Sequence, residues 1–110
     1  RLTLPAGPLG IKVIHTPGHT PGSVSYLAGG SVFTGDTLFV GQCGRADLPG
    51  SDPRALRTSL LTLAALPAGT VLYPGHAYNG NTSTIGEQKE RNIYIKLALR
   101  GEAEFVKAAV

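Results

Sequence analysis

Apolar and polar positions change period several times along the chain, and each change marks a different element. Leu2 and Leu4 alternate with polar neighbours, and Ile11, Val13 and Ile14 follow the turn-rich Pro5-Ala6-Gly7-Pro8. Two short strands are predicted, the second running into His15. Val24 and Tyr26 alternate with Ser23, Ser25 and Leu27, and Gly29-Gly30 then offers a tight turn into Ser31-Val32-Phe33-Thr34. That pattern predicts a hairpin ending at Gly35-Asp36. The alternation stops over residues 41–51, which are rich in glycine and polar residues. Asp52 followed by Pro53 then forms an N-cap and first-turn pair. Leu56, Leu60, Leu63 and Leu66 place one apolar stripe along the helix that follows, which stops at Pro67-Ala68-Gly69. Such a stripe is more often core packing than an interface. Thr70-Val71-Leu72-Tyr73 reads as a short buried strand that delivers Pro74-Gly75-His76. A further helical segment is capped by Ser83 or Thr84, with Glu87 or Gln88 in capping-box reach and the pattern carried on by Arg91, Tyr94 and Ile95. Gly101 separates a last short helix carrying Phe105, Val106 and Val110.

Composition narrows the class. A chain of 110 residues is long enough to bury a core and suits one domain or half of one. With 42% hydrophobic and 15% charged residues, it is too apolar to stay unfolded as a whole. The formal charge of +3 is spread out, and no basic run exceeds Lys89-Glu90-Arg91, so the footprint of a nucleic-acid binder is missing. A mild positive balance suits an anionic small substrate. The single Cys43 leaves no internal disulfide and fits a reducing compartment. No apolar run approaches the roughly 20 residues of a membrane span, so no membrane partner is expected and the default location is cytoplasmic. Arg1, where an initiating methionine would stand, leads us to expect further sequence upstream.

Three groups with metal-ligand chemistry, His19, Asp36 and His76, follow directly after predicted strands or in the loops beyond them. That arrangement gathers them along one sheet edge. Imidazole and carboxylate suit zinc or iron, and a carboxylate can bridge two ions. In His15-Thr16-Pro17-Gly18-His19-Thr20-Pro21-Gly22, two histidines four apart could share a helix face, but Pro17 and Gly18 break a helix. They belong to a loop. His19 is read as the ligand and His15 as a neighbour supporting the site by hydrogen bonding, with a packing or capping role for His15 weighing evenly against that. Taken singly, Asp36 could be a turn aspartate bonding to its own backbone, and His76 an ordinary turn residue.

Read in order, His-Thr-Pro-Gly-His-Thr-Pro-Gly at 15–22, Thr34-Gly35-Asp36-Thr37-Leu38-Phe39 and Tyr73-Pro74-Gly75-His76 resemble the second half of the metallo-β-lactamase superfamily. The resemblance runs over roughly residues 11–99. It is closest to the branch of glyoxalase II-type thioester hydrolases and persulfide dioxygenases, on Cys43-Gly44-Arg45 and Ser83-Thr84-Ile85-Gly86-Glu87. The resemblance implies an α/β (α+β) fold: the C-terminal half of an αββα sandwich, a mixed sheet with flanking helices, over residues 1–110. It also implies that the family's His-x-His-x-Asp-His motif, with its water-activating aspartate, belongs to an N-terminal half that these 110 residues lack.

By the same resemblance, His19 is a ligand of the first metal, Asp36 bridges two metals or binds one iron, and His76 is a ligand of the second. In a glyoxalase II-like hydrolase, one or two Zn2+ or other ions lower the pKa of water, and the hydroxide attacks a glutathione thioester. In a persulfide dioxygenase, Fe2+ on two histidines and one aspartate oxidises glutathione persulfide; His76 is then no ligand. In the persulfide branch Arg45 would help to hold the glutathione carboxylate, in even competition with an ion pair to Asp47, and Tyr78 would line the substrate pocket. Ala77 departs from relatives that carry aspartate there. Asn92-Ile93 departs from Asn-Pro and leaves the helix continuous through Tyr94. Cys43 is expected to be an inert thiol, since no base partner can be assigned to it. The hydrolase is the first reading and the dioxygenase the second; a non-catalytic module with an incomplete metal site is the third. For the chain alone, weak metal binding and no turnover are expected, with apolar surface exposed by the half-sheet.

Overall fold

The computed structural model describes residues 2–6, 9–76 and 80–109. Strands β1 (Leu2–Ala6), β2 (Leu9–His15), β3 (Val24–Ala28) and β4 (Ser31–Gly35) form an antiparallel meander, with Gly29 at φ +59° in the β3–β4 turn. A short hairpin follows, β5 (Leu38–Phe39) and β6 (Gln42–Cys43), and then α1 (Pro53–Ala64). Strand β7 (Val71–Pro74) returns to lie parallel to β4, and β8 (Ser83–Thr84) pairs antiparallel at the edge. The main sheet therefore has the order β1-β2-β3-β4-β7-β8. Helices α2 (Ile85–Arg91), α3 (Ile93–Arg100) and α4 (Glu102–Ala109) complete the chain.

The apolar pattern explains the layering. Leu56, Leu60, Leu63 and Leu66 are all buried, in one cluster with Val32, Leu72, Ile85, Ile95 and Phe105. The helices thus cover one face of the sheet. Asp52 caps α1 as expected, accepting from the backbone N–H groups of Arg54 (3.0 Å) and Ala55 (3.2 Å). Thr84 caps α2, accepting from the Glu87 N–H at 3.1 Å.

Three expectations are corrected. Strand β7 is half buried: Leu72 points into the core, whereas Tyr73 is 40% exposed and stacks on Phe33 at 5.1 Å. Period-2 alternation, hidden in so short a run, governs this strand. The helix is not continuous through Tyr94. Asn92 adopts extended backbone at φ −80°, ψ 112°, closing α2 and capping α3 by accepting from the Tyr94 N–H (2.9 Å) and the Ile95 N–H (3.4 Å). An amide side chain that satisfies two orphan N–H groups stabilises a break there without proline. The stretch 38–43, which showed no strand signal, forms the β5–β6 hairpin.

Candidate functional site

Strand β2 is antiparallel to β3, β3 to β4, and β4 is parallel to β7, so β2, β4 and β7 all end at the same sheet edge. That edge delivers His19, Asp36 and His76. Beyond β2 the chain makes a compact loop, closed by Thr16 N–H to the Ser23 carbonyl (2.9 Å) and by Thr20 Oγ1 to Ser23 Oγ (2.6 Å). Gly18, at φ +140°, lies so close to α1 that a Cβ would stand 2.4 Å from Leu56. Only glycine fits both that space and that backbone. Helix α1 and its approach grip the loop: Asp52 N–H donates to the Gly18 carbonyl (2.7 Å), Ser59 Oγ to the Pro17 carbonyl (2.7 Å) and Ser51 Oγ to the His19 carbonyl (2.8 Å).

Asp36 follows a register shift between Phe33 and Gly35, where Gly35 takes φ +52°. A bulge of this kind re-aims the next side chain. The Gly75 N–H donates to the Gly35 carbonyl at 2.8 Å, which draws the end of β7 alongside. His76 Nδ1 then lies 2.9 Å from Asp36 Oδ1, both side chains about half exposed. Phe39 of the β5–β6 hairpin meets the His76 ring edge-on at 5.8 Å.

The hairpin also reaches His19. His19 Nδ1 donates to the Arg45 carbonyl at 2.9 Å. A carbonyl only accepts, so Nδ1 carries a proton, and Nε2 is the nitrogen that a neutral ring would offer to a metal. Gly44 makes the approach possible: a Cβ there would fall 2.0 Å from the Asp36 carbonyl oxygen and 3.0 Å from His19 Cβ. His19, Asp36 and His76, together with Phe39, Cys43 and Arg45, line a cavity of about 520 Å³. The donors are of the type zinc and iron take. Among the described residues, no three His, Cys, Asp or Glu side chains are grouped so as to hold a metal ion.

The other candidates divide. His15 Nε2 donates to the Pro21 carbonyl at 2.9 Å, bracing the histidine loop from its exposed side. Arg45 forms a two-point ion pair with Asp47, Nε to Oδ1 at 3.0 Å and Nη2 to Oδ2 at 3.1 Å, while also lining the cavity. The shared hydrogen bond raises the guanidinium pKa and lowers that of the carboxyl. Burial pushes the Cys43 thiol up to about 12, which leaves almost no nucleophilic thiolate near neutral pH. Tyr78 and Ala77 lie outside the described residues.

Sequence reasoning missed the hydroxyls and amides behind the site. Buried Thr16 Oγ1 lies 3.0 Å from Ser25 Oγ and 3.3 Å from Thr37 Oγ1, tying β2, β3 and the Asp36 turn together. Buried Gln88 and Asn92 bond to the hairpin from below. Single hydroxyls and amides carry no periodic signal.

A sequence profile of the metallo-beta-lactamase superfamily matches residues 3–76. The chain belongs to this superfamily. It is 39% identical over 104 residues to a hydroxyacylglutathione hydrolase of Methylobacillus flagellatus, covering 94% of this chain and 37% of that protein. Among solved structures it is similar to ETHE1 from Myxococcus xanthus, with a TM-score of 0.90 and 39% identity over 98% of this chain and 48% of that one. TTHA1623, solved in a di-iron-bound form, matches with a TM-score of 0.69 and 46% identity over 74% of this chain and 41% of that one. The chain thus spans between 21% and 48% of the length of relatives it matches. Superfamily members bind metals, and the relatives' names are those of enzymes such as hydrolases. Among the described residues, no helix is long and apolar enough to cross a membrane.

Proposed function

We propose that the chain supplies the C-terminal half of a glyoxalase II-like metallo-hydrolase that cleaves a glutathione thioester. His19, Asp36 and His76 are its share of the metal ligands. The observation that carries this reading is the convergence of the three groups on one cavity, with His19 Nδ1 held by the Arg45 carbonyl and Nε2 not engaged in that bond. The missing donors, and the group that activates water, are assigned to an N-terminal half of the same fold. Zinc or iron bound there would polarise the thioester carbonyl and acidify water. In this chain, Asp36 and His76 line the cavity together, and Gly44 lets the chain after the hairpin close against Asp36. Arg45 keeps guanidinium donors beyond those paired with Asp47, enough to bind a glutathione carboxylate.

The second reading is an iron persulfide dioxygenase. It is favoured by the placement of His76 against Asp36, as a carboxylate's hydrogen-bond partner rather than an independent ligand, and by the similarity to ETHE1. Metal analysis of the intact protein, run with thioester hydrolysis and oxygen uptake on glutathione persulfide, separates the two. The hydrolase reading expects two ions per chain, hydrolysis without oxygen uptake, and loss of one ion in His76→Ala. One iron with oxygen uptake, and an unchanged metal count in His76→Ala, would establish the dioxygenase instead. Neither activity and no bound metal would leave a non-catalytic module.

A further inference from the structure

We propose that Gln88 and Asn92, at the α2–α3 junction, are positioning residues that set the ring state of His19 through the β5–β6 hairpin. Both are fully or almost fully buried, at 2% and 0% exposure, among apolar neighbours. Buried amides in a small core cost stability unless every group is paired, and here the pairs lead to the site. Gln88 Oε1 accepts from the Gly41 N–H (2.9 Å) and from Asn92 Nδ2 (2.9 Å), while Gln88 Nε2 donates to Ser83 Oγ (3.0 Å). Asn92 Nδ2 also donates to the Gln42 carbonyl (3.1 Å) and the Phe39 carbonyl (3.3 Å). The two amides therefore hold three points of the hairpin: Phe39, Gly41 and Gln42.

The hairpin in turn touches both histidines. Its descending end passes through Gly44, whose N–H donates to the Thr37 carbonyl at 3.0 Å, to the Arg45 carbonyl that holds His19 Nδ1–H. Its tip carries Phe39 against His76. A hairpin of two-residue strands has little stability of its own, so its height over the site is set by what lies beneath it. If the latch is loosened, the Arg45 carbonyl moves off Nδ1, and the His19 proton is free to redistribute between the two ring nitrogens. The effect on metal binding rests on the reading of His19 as a ligand; the effect on the ring state does not.

Asn92→Asp separates the two jobs of the side chain. It keeps the oxygen that caps α3 and removes the Nδ2 donors to the hairpin. Gln88→Met, which deletes the acceptor for the Gly41 N–H and leaves Asn92 in place, serves as the second variant should Asn92→Asp fail to fold. Ile95→Val, one buried methyl on α3, is the control for general destabilisation. The ring nitrogen resonances of His19 in the intact protein, read by long-range proton–nitrogen correlation, should show one Nδ1–H tautomer in wild type and in Ile95→Val. A mixture of tautomers is expected in the latch variants. Zinc titration of the same samples should show an affinity about 10- to 100-fold lower in the latch variants, the usual loss on removing an outer-sphere support. Unchanged His19 resonances in a folded latch variant, or an equal change in Ile95→Val, would overturn the proposal. A wild-type protein whose His19 resonances ignore added zinc would instead overturn the metal-ligand reading, with the tautomer comparison still judging the latch.

Discussion

Among the described residues, Cys43 is the side chain whose ionisation the fold changes most, and the change has a defined sign. Burial raises its pKa from 9.0 to about 12. Below pH 9 the thiol is protonated in folded and unfolded chains alike, so it contributes no pH dependence. Between pH 9 and pH 12 the unfolded chain ionises and the folded chain does not, so stability falls as pH rises, by at most about 1.4 kcal/mol per unit. Denaturant titrations from pH 8 to pH 11 should therefore show a steeper alkaline loss in wild type than in Cys43→Ala. Parallel curves would mean that the thiol is solvated. At this scale the sequence was informative wherever a residue's local chemistry decides its role, as in the Asp52 cap and the inert Cys43. It was silent on Gly18 and Gly44. Their necessity comes from Leu56 and from the Asp36 carbonyl, 38 and 8 positions away in the chain.

Helix α1 links packing to the site, because the same 12-residue element that fills the core grips the histidine loop. Leu60 is fully buried, and Leu60→Ala is expected to cost about 2–5 kcal/mol through lost burial and the residual cavity. Asp52→Ala removes a cap worth about 1 kcal/mol. The cap lies beside the Asp52 N–H to Gly18 carbonyl bond, so the cost should extend to the loop. Thermal unfolding measures both. Amide exchange adds the discriminating readout, since Asp52→Ala should lower protection at Gly18 and Thr16 more than Leu60→Ala does at equal destabilisation. Uniform loss in both variants would show that the loop is not coupled to the cap. Elements with a strong period were legible, as α1 and the β3–β4 hairpin show. The β5–β6 hairpin and the Asn92 break were not, because two-residue strands carry no period and a helix break held by one amide looks like a polar helix position.

Across the whole molecule, one face of the sheet is filled by helices and the other carries an apolar row. Val13 on β2 pairs with Tyr26 on β3, Tyr26 with Phe33 on β4, and Phe33 with Tyr73 on β7. Tyr26, Phe33 and Tyr73 are each about 40% exposed. A transverse row of this kind is surface that a second sheet would bury, in line with a chain that spans 48% of the ETHE1 structure. The chain on its own is expected to bind a hydrophobic dye, and addition of a matching N-terminal half should abolish that signal. Phe33→Lys should reduce both dye binding and association with that half. A chain that ignores the dye, or a half that binds Phe33→Lys as well as wild type, would place the contact elsewhere.

Residue order alone determined that the chain holds both strands and helices, that His19, Asp36 and His76 follow strands, and which superfamily its three motifs resemble. Those properties follow from local period, capping chemistry and short spacings, all written in consecutive residues. The tertiary structure alone decided the strand order and that His76 faces Asp36. It also decided that the Arg45 carbonyl holds the His19 proton and that two buried amides sit beneath the hairpin. Each of these depends on strand order or on contacts between residues 26 to 53 positions apart, such as His19 with Arg45 and Phe39 with Asn92. Separations of that size leave no periodic trace in the chain.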